Sequence, residues 1–451
     1  MTIFKTISIE ARLIDEVKGL IEKEEFDVLK KLLGEMRPAD VADLIEHLGA
    51  DERINIFQLL EPKDAGNVLV EIEPPIQERI LRGLDNQAIS DIVAELDSDD
   101  AADLVGDLPA DRAKEVIESV DDDVSKELKR LLPFPEDSAG GIMGLEFLAV
   151  KADVTVGDAI KTIREKGREI ENLYYIWVTD DFKRLVGVIS LKDLVLEPDD
   201  CKIKEIMNPD VISVGVDTDQ EEVANLVSRY DLVNIPVVDT RLRLVGRITH
   251  DDIIDVIEKE IDEDMSLMAG VIDQEITEES AIKISRARLP WLVAALFGGV
   301  SAAVVINQFE ASLKAMISLS FFFPVIMAMG GNTGTQAATV VVRGLATGDI
   351  GLVNIGKRLW MELRVAIING IICGGILGLI VGFWVGDYRL GLLVNVALLL
   401  IIALSGLIGA AVPLALKRHH VDPALAAGPF VTTSNDILSL LIYLGLVSMF
   451  L

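Results

Sequence analysis

The last third of the chain constrains everything before it. Five apolar runs, at about 290–308, 315–341, 360–385, 392–416 and 424–451, are each close to or longer than the roughly 20 residues that a spanning helix needs. In hydrocarbon every backbone polar group must find its partner inside the segment, so such runs are expected to fold as helices. Basic residues orient them. Lys283, Arg286 and Arg288 precede the first run, Arg343, Lys357 and Arg358 separate the second from the third, and Lys417 and Arg418 follow the fourth. The opposite loops offer only Lys314 and Arg389. The expected protein is a multi-pass cell-membrane protein with its large N-terminal part in the cytoplasm and its C-terminus outside. The first ten residues, MTIFKTISIE, contain no apolar signal core. Cys201 and Cys373 support neither a disulfide framework nor a zinc site, which fits a reducing compartment.

Two of the apolar runs carry polar groups. The fifth holds Asp436 near its centre, where an ionised carboxylate costs on the order of 2.5–3.5 kcal/mol. Thr432 and Thr433 lie one turn before it and Ser439 one turn after, so helical spacing puts all four on one face. An oxygen-only surface suits a hard cation; alternatively Asp436 ties the bundle together by hydrogen bonds. The second run holds Pro324 and the stretch GGNTGTQ, with Gly331, Asn332 and Thr335. Glycine and proline there are expected to loosen the helix and expose backbone carbonyls beside a watery cavity; close helix contact is the other reading of the glycines.

The formal charge of −31 is unevenly placed. The first 284 residues hold 67 acidic against 32 basic side chains, a balance of −35, and the remainder six against ten, or +4. So acidic a soluble part excludes nucleic acid as a partner. Within residues 1–134 apolar residues recur every twelve positions, at Leu48, Leu60, Ile72, Leu84, Leu96 and Leu108, each with a second one four residues earlier. Pro38, Pro62 and Pro109 mark helix starts. Short helices stacked as an all-α superhelix, an α-solenoid, are expected. Its DSDDAAD stretch places Asp99 and Asp103 one turn apart, either as a solvated helix start or as a site for a counter-cation.

From 138 the pattern changes to strands alternating with helices, and it repeats. Residues 185–190 (LVGVIS) match 244–249 (LVGRIT), and Asp193 matches Asp252. This resembles an α/β tandem CBS pair, with copies at 138–200 and 201–260. A hydroxyl and a carboxylate at a helix start, Ser190 with Asp193, can read a ribose, and the helix N-terminus favours phosphate. Otherwise Ser190 and Thr249 only cap their helices. An acidic connector follows, with Asp251, Asp252, Asp255, Glu260, Glu263 and Asp264 close together, solvated or neutralised by divalent ions.

Acidic superhelix, CBS pair, connecting helix and five spans, in that order, together with GGNTGTQ and VDPALAAGPFVTTSNDILSLLIYL, resemble the MgtE family of magnesium channels along essentially the whole chain. The resemblance implies a multidomain homodimer, embedded in membrane lipid, that conducts Mg2+ and is not an enzyme. It implies a plug helix at 261–284 and a pore domain at 285–451 lined by the second and fifth spans. Asp436 takes the pore aspartate position, with Gly331, Asn332, Thr335 and Thr432 lining the path. Asp99 and Asp103, then Asp231, Asp251, Asp252 and Asp255, then Glu260, Glu263 and Asp264 take the positions of cytosolic Mg2+ binding. ATP as a regulatory ligand is implied at Asp193, Ser190, Lys192 and Tyr175. A proton-coupled divalent cation transporter and a membrane-anchored nucleotide sensor are the alternatives.

Overall fold

The computed structural model describes residues 11–450 except 169, 171, 272–280, 348–349, 351–354, 420 and 427. The first ten residues, and the middle of the expected plug segment, lie outside the described residues. The chain divides into two units, Met1–Ile257 and Glu258–Leu451.

Among the described residues, the first unit begins with ten helices, α1 (Ala11–Glu22) to α10 (Asp122–Leu131). From α2 (Phe26–Leu33) onward a helix begins every twelve residues: α3 (Pro38–Glu46), α4 (Ala50–Phe57), α5 (Pro62–Val70), α6 (Pro74–Gly83), α7 (Asn86–Val93), α8 (Ser98–Gly106) and α9 (Ala110–Ser119). Pro38, Pro62 and Pro74 stand in first turns, where no backbone donor is missed. Leu44, Ile56, Val68, Ile80, Ile92, Leu104, Val116 and Leu128 are at most 4% exposed and form the spine of the stack. Burying each contributes roughly 1.5–3 kcal/mol, and none of these short helices would persist alone.

Two three-stranded sheets follow. In the first, β1 (Ala149–Lys151) runs parallel to β2 (Tyr175–Thr179), which pairs antiparallel with β3 (Leu185–Ser190). The second repeats this with β4 (Val214–Gly215), β5 (Asn234–Val238) and β6 (Leu244–Thr249). Helices α11 (Val156–Lys166) and α14 (Gln220–Tyr230) fill matching crossovers, and α12 (Leu191–Leu196) and α13 (Ile203–Ile206) follow β3. The copies exchange their opening residues. Met143 packs on Gly246 and Met207 on Gly187, where an added Cβ would come within 2.6 Å of either sulfur. Glycine at these two matched positions is therefore required by close approach rather than by a turn.

Helix α15 (His250–Ala269) runs unbroken from the end of β6. Among the described residues, the second unit then supplies five helices long and apolar enough to cross a membrane. They are α16 (Ala281–Gln308), α18 (Phe323–Ala346), α19 (Ile355–Val385), α20 (Tyr388–Arg418) and α21 (Pro429–Phe450). Short α17 (Glu310–Ala315) and a 3-10 turn, Ile317–Phe322, link the first two. The core lies where α18, α20 and α21 meet, around Ile326, Leu398, Ile401, Tyr443 and Leu444. The Tyr443 hydroxyl donates to the Leu319 carbonyl at 3.1 Å, which satisfies its polar end inside that core.

The loosened second span expected from GGNTGTQ is not what forms. Helix α18 is continuous through all seven residues, and Pro324 sits in its first turn. The glycines serve contact instead: Gly330, Gly331 and Gly334 are buried, and neighbouring helices come up to their backbone.

Candidate cation pathway and acidic cluster

In the second unit, α21 packs against α16, α18 and α20. Asp422 accepts from the Ala424 N–H at 2.7 Å and fixes the turn, Pro423–Ala426, that leads into α21. Gly331 keeps α18 close: an added Cβ would lie 3.5 Å from Asp436 Oδ1 and 3.4 Å from Thr432 Cγ2. The Thr335 and Thr432 hydroxyls are 3.4 Å apart. A cavity of about 440 Å³ opens beside them, lined by Gly298 and Ala302 of α16, Thr335 of α18, and Thr432, Thr433 and Asp436 of α21. Met268, from the end of α15, also lines it. Leu267 and Met268 pack on Ala338, Val342 and Ala424, and a Cβ at Gly428 would lie 3.0 Å from the Met268 carbonyl. The last turn of α15 thus lies against the Arg343 end of α18 and the turn that leads into α21.

Asp436, Thr432, Thr335 and Gly331 of the residues expected from the sequence are thereby brought together. Asn332 is exposed on α18 and is not among the residues lining the cavity. Ser439 does not share the Asp436 face. It is fully buried, and its hydroxyl presses on Gly330 beside Ser405 of α20. At 100° per residue the two positions differ enough for packing to turn one inward and the other toward the cavity. The share of α16 is not among the sequence-based expectations; the Gly298-Gly299 pair in an apolar run is the available signal.

The first unit gathers carboxylates where α8 meets the start of α15. Asp97, the N-cap of α8, makes no side-chain cap. Glu146 replaces it from 48 residues away, accepting from the Ser98 N–H at 3.1 Å and its hydroxyl at 3.0 Å. The Ser98 hydroxyl in turn accepts from the Leu145 N–H at 2.8 Å. So fixed, α8 holds Asp99 and Asp100, both half-buried, near Asp252. Burial, then Asp252, Asp100 and Glu146, push the Asp99 carboxyl well above the usual range. Burial, then Asp252, Asp97, Asp103 and Asp251, raise Asp100 to about 7. Asp252 rises to about 6 by burial, although Thr249 donates to it from its hydroxyl (2.5 Å) and its N–H (3.0 Å). Glu71 is also raised, first by burial and then by Asp255 and Asp43.

Asp99, Asp251, Asp252 and Asp255 of the expected set therefore belong to this contact, and Asp103 lies exposed beside it. Asp231 is exposed at the left-handed C-cap of α14. Glu260, Glu263 and Asp264 lie further along α15. Asp100 belongs to the DSDDAAD stretch, but its burial, like that of Glu71 and Glu146, does not stand out in the sequence, because only tertiary contact produces it. Among the described residues no three His, Cys, Asp or Glu side chains form a ready cage for a bare ion. The donor set is instead opposed carboxylates with no basic group among the causes of their shifts. That chemistry fits a hydrated Mg2+, which keeps several of its waters.

At the first CBS copy, the Ser190 hydroxyl donates to Asp193 at 2.6 Å and accepts from the Asp193 N–H at 3.1 Å. Ser190 is the N-cap of α12, and Tyr175 lies directly across the sheet from it. Lys192 is exposed on the same turn. The helix start, hydroxyl and carboxylate are thus assembled on one turn.

Residues 323–446 match the family model described as MgtE, divalent cation transporter; residues 36–137 match the MgtE intracellular N domain, and 139–199 and 203–259 the CBS domain. The magnesium transporter MgtE of Thermus thermophilus is 35% identical over 449 residues, 98% of this chain and 99% of the relative. That of Bacillus subtilis is 34% identical over 94% of each chain, and that of Enterococcus faecalis 39% over 72% of each. The solved cytosolic domain of the Mg2+ channel MgtE in complex with ATP is 35% identical, with a TM-score of 0.51, and covers 54% of this chain and 99% of that one.

Proposed function

The chain belongs to the MgtE family of divalent cation transporters, and from that premise we propose that it conducts Mg2+ across the membrane through a gated pore. The reading rests on the convergence of Asp436, Thr432 and Thr335 on a single cavity beside Gly331. A carboxylate and hydroxyls offer only oxygen, the donor that hard cations prefer. The cavity's volume of about 440 Å³ leaves room for an ion that keeps its waters, with Asp436 holding it electrostatically across that hydration shell. An anchor for a nucleotide sensor has no use for such a lining.

The gate follows from the acidic cluster. Bound Mg2+ supplies positive charge between Asp99, Asp100 and Asp252. Without it these carboxylates repel, and α8 is driven away from the start of α15. Helix α15 carries Asp252 near one end and Met268, which lines the cavity, near the other. Glu260, Glu263 and Asp264 add negative charge along the same helix. ATP is proposed at Ser190, Asp193, Lys192 and Tyr175. A homodimer is proposed because five spans are few to enclose a pore, so that a second copy would complete its wall. An outside C-terminus is proposed from the basic residues of the loops after the second and fourth spans.

The test is growth of a Mg2+-uptake-deficient bacterium on low Mg2+. Expression of the native chain should restore growth, and Asp436→Ala, inserted at equal level, should not. Equal growth with both removes Asp436 from the pathway.

A further inference from the structure

Among the described residues of the second unit, three polar side chains are fully buried and make no hydrogen bond: Asn435 and Ser439 of α21 and Ser405 of α20. They do not face the cavity. They meet the other side of α18 at two glycines one turn apart. An added Cβ at Gly330 would collide with the Ser439 hydroxyl and come within 3.4 Å of the Ser405 hydroxyl. One at Gly334 would collide with the Asn435 amide nitrogen and come within 3.0 Å of Val431. Gly409 of α20 rests on the Gly334 carbonyl in the same way. Each helix therefore supplies residues four apart to one seam: 330 and 334, 405 and 409, 435 and 439.

A dry seam of leucine and alanine would pack without leaving polar atoms unpartnered. This seam sits one residue away from Asp436 on α21 and one away from Gly331 on α18. Rotation of α21 about its own axis would carry Asp436 off the cavity wall, and the interlocked Gly330–Ser439 and Gly334–Asn435 contacts oppose that rotation. We propose that this seam is a rotational lock: Asn435 and Ser439, seated on Gly334 and Gly330, are positioning residues that hold Asp436 toward the cavity. The flux consequence rests on the pore reading; the orientation of Asp436 does not.

The experiment has two arms. The first measures orientation alone. In full-length protein with Cys201→Ser and Cys373→Ser, Asp436→Cys is reacted in detergent with a charged, water-soluble methanethiosulfonate. It should react in the native seam, react much more slowly after Gly334→Ala, and recover when Asn435→Ala is added. The second arm measures Mg2+ flux with Asp436 intact. Gly334→Ala should lower it on the order of 100-fold, the loss brought by a functional group misplaced by about 1 Å. Asn435→Ala should restore most of it, whereas Ser439→Ala, the wrong partner, should not. If Gly334→Ala fails to insert, Gly330→Ala with and without Ser439→Ala poses the same question at the other contact. Unchanged reactivity after the glycine substitution, or recovery that ignores which partner is trimmed, overturns the lock. Reactivity that follows the lock while flux does not would fault the pore reading instead.

Discussion

Asp100→Asn gives the acidic cluster its sharpest test. Burial and the neighbouring carboxylates raise Asp100 from 3.8 to about 7 in the compact arrangement. Every tenfold change in proton affinity is worth about 1.4 kcal/mol, so the ionised group opposes the contact by roughly 4 kcal/mol. The carboxyl is raised by contact, which fixes the direction of the pH dependence. Below about pH 3.8 it is protonated both in and out of the contact, and the opposition is absent. It grows as pH rises and is complete above about 7. Asparagine removes the charge, although a buried amide without a partner gives back about 1–2 kcal/mol. In Mg2+-free buffer at pH 8, α8 amides of the variant should be more protected from hydrogen exchange than native ones by about 2–3 kcal/mol, corrected for intrinsic rates. At pH 5 the native opposition is only about 1.6 kcal/mol, and the gap should close. The gap at pH 8 is near half of the roughly 5.5 kcal/mol that takes a two-state gate from 1:99 to 99:1. A gap independent of pH, or a native protein better protected at pH 8 than at pH 5, would refute the electrostatic account of the cluster.

Two more outcomes are expected. Ser98→Ala removes the hydroxyl that joins Glu146 and Leu145 to the start of α8. It should weaken that contact by about 1–2 kcal/mol and raise the cytosolic Mg2+ needed for half-closure; an unchanged inhibition curve counts against the contact. Asp193→Ala should abolish ATP binding by calorimetry while Mg2+ flux without ATP stays native; full binding would place the nucleotide elsewhere.

What is legible in the sequence follows the range of the forces involved. The twelve-residue period declares itself because each helix is short, three of them start at a proline, and each puts one apolar side chain into the spine; Leu44, Ile56 and Val68 are visible as such. The five spans are legible because lipid allows no other backbone, and Asp436 because a lone charge there needs a reason. Helical spacing alone puts Ser439 on the wrong face, because a helix has no preferred rotation until its neighbours supply one, here Gly330 and Ser405. The glycines of α18 read as breakers in sequence, whereas inside lipid the helix persists and their missing side chains admit Asn435 and Ser439. Glu146, and the burial of Asp100 within DSDDAAD, are silent in sequence because they depend on segments about 45 residues or more apart.

The proposed passage of a water-clad Mg2+ past Asp436, in a pore governed by the acidic cluster, makes one combined demand on transport. Dye-reported Mg2+ flux into proteoliposomes, with Mg2+ on the side of the soluble part varied, measures both halves at once. Native protein should conduct when that side is depleted and fall silent as Mg2+ is added, and Asp436→Asn should be silent throughout. Native-like flux through Asp436→Asn, or conduction by the native protein that ignores Mg2+ on that side, would contradict it.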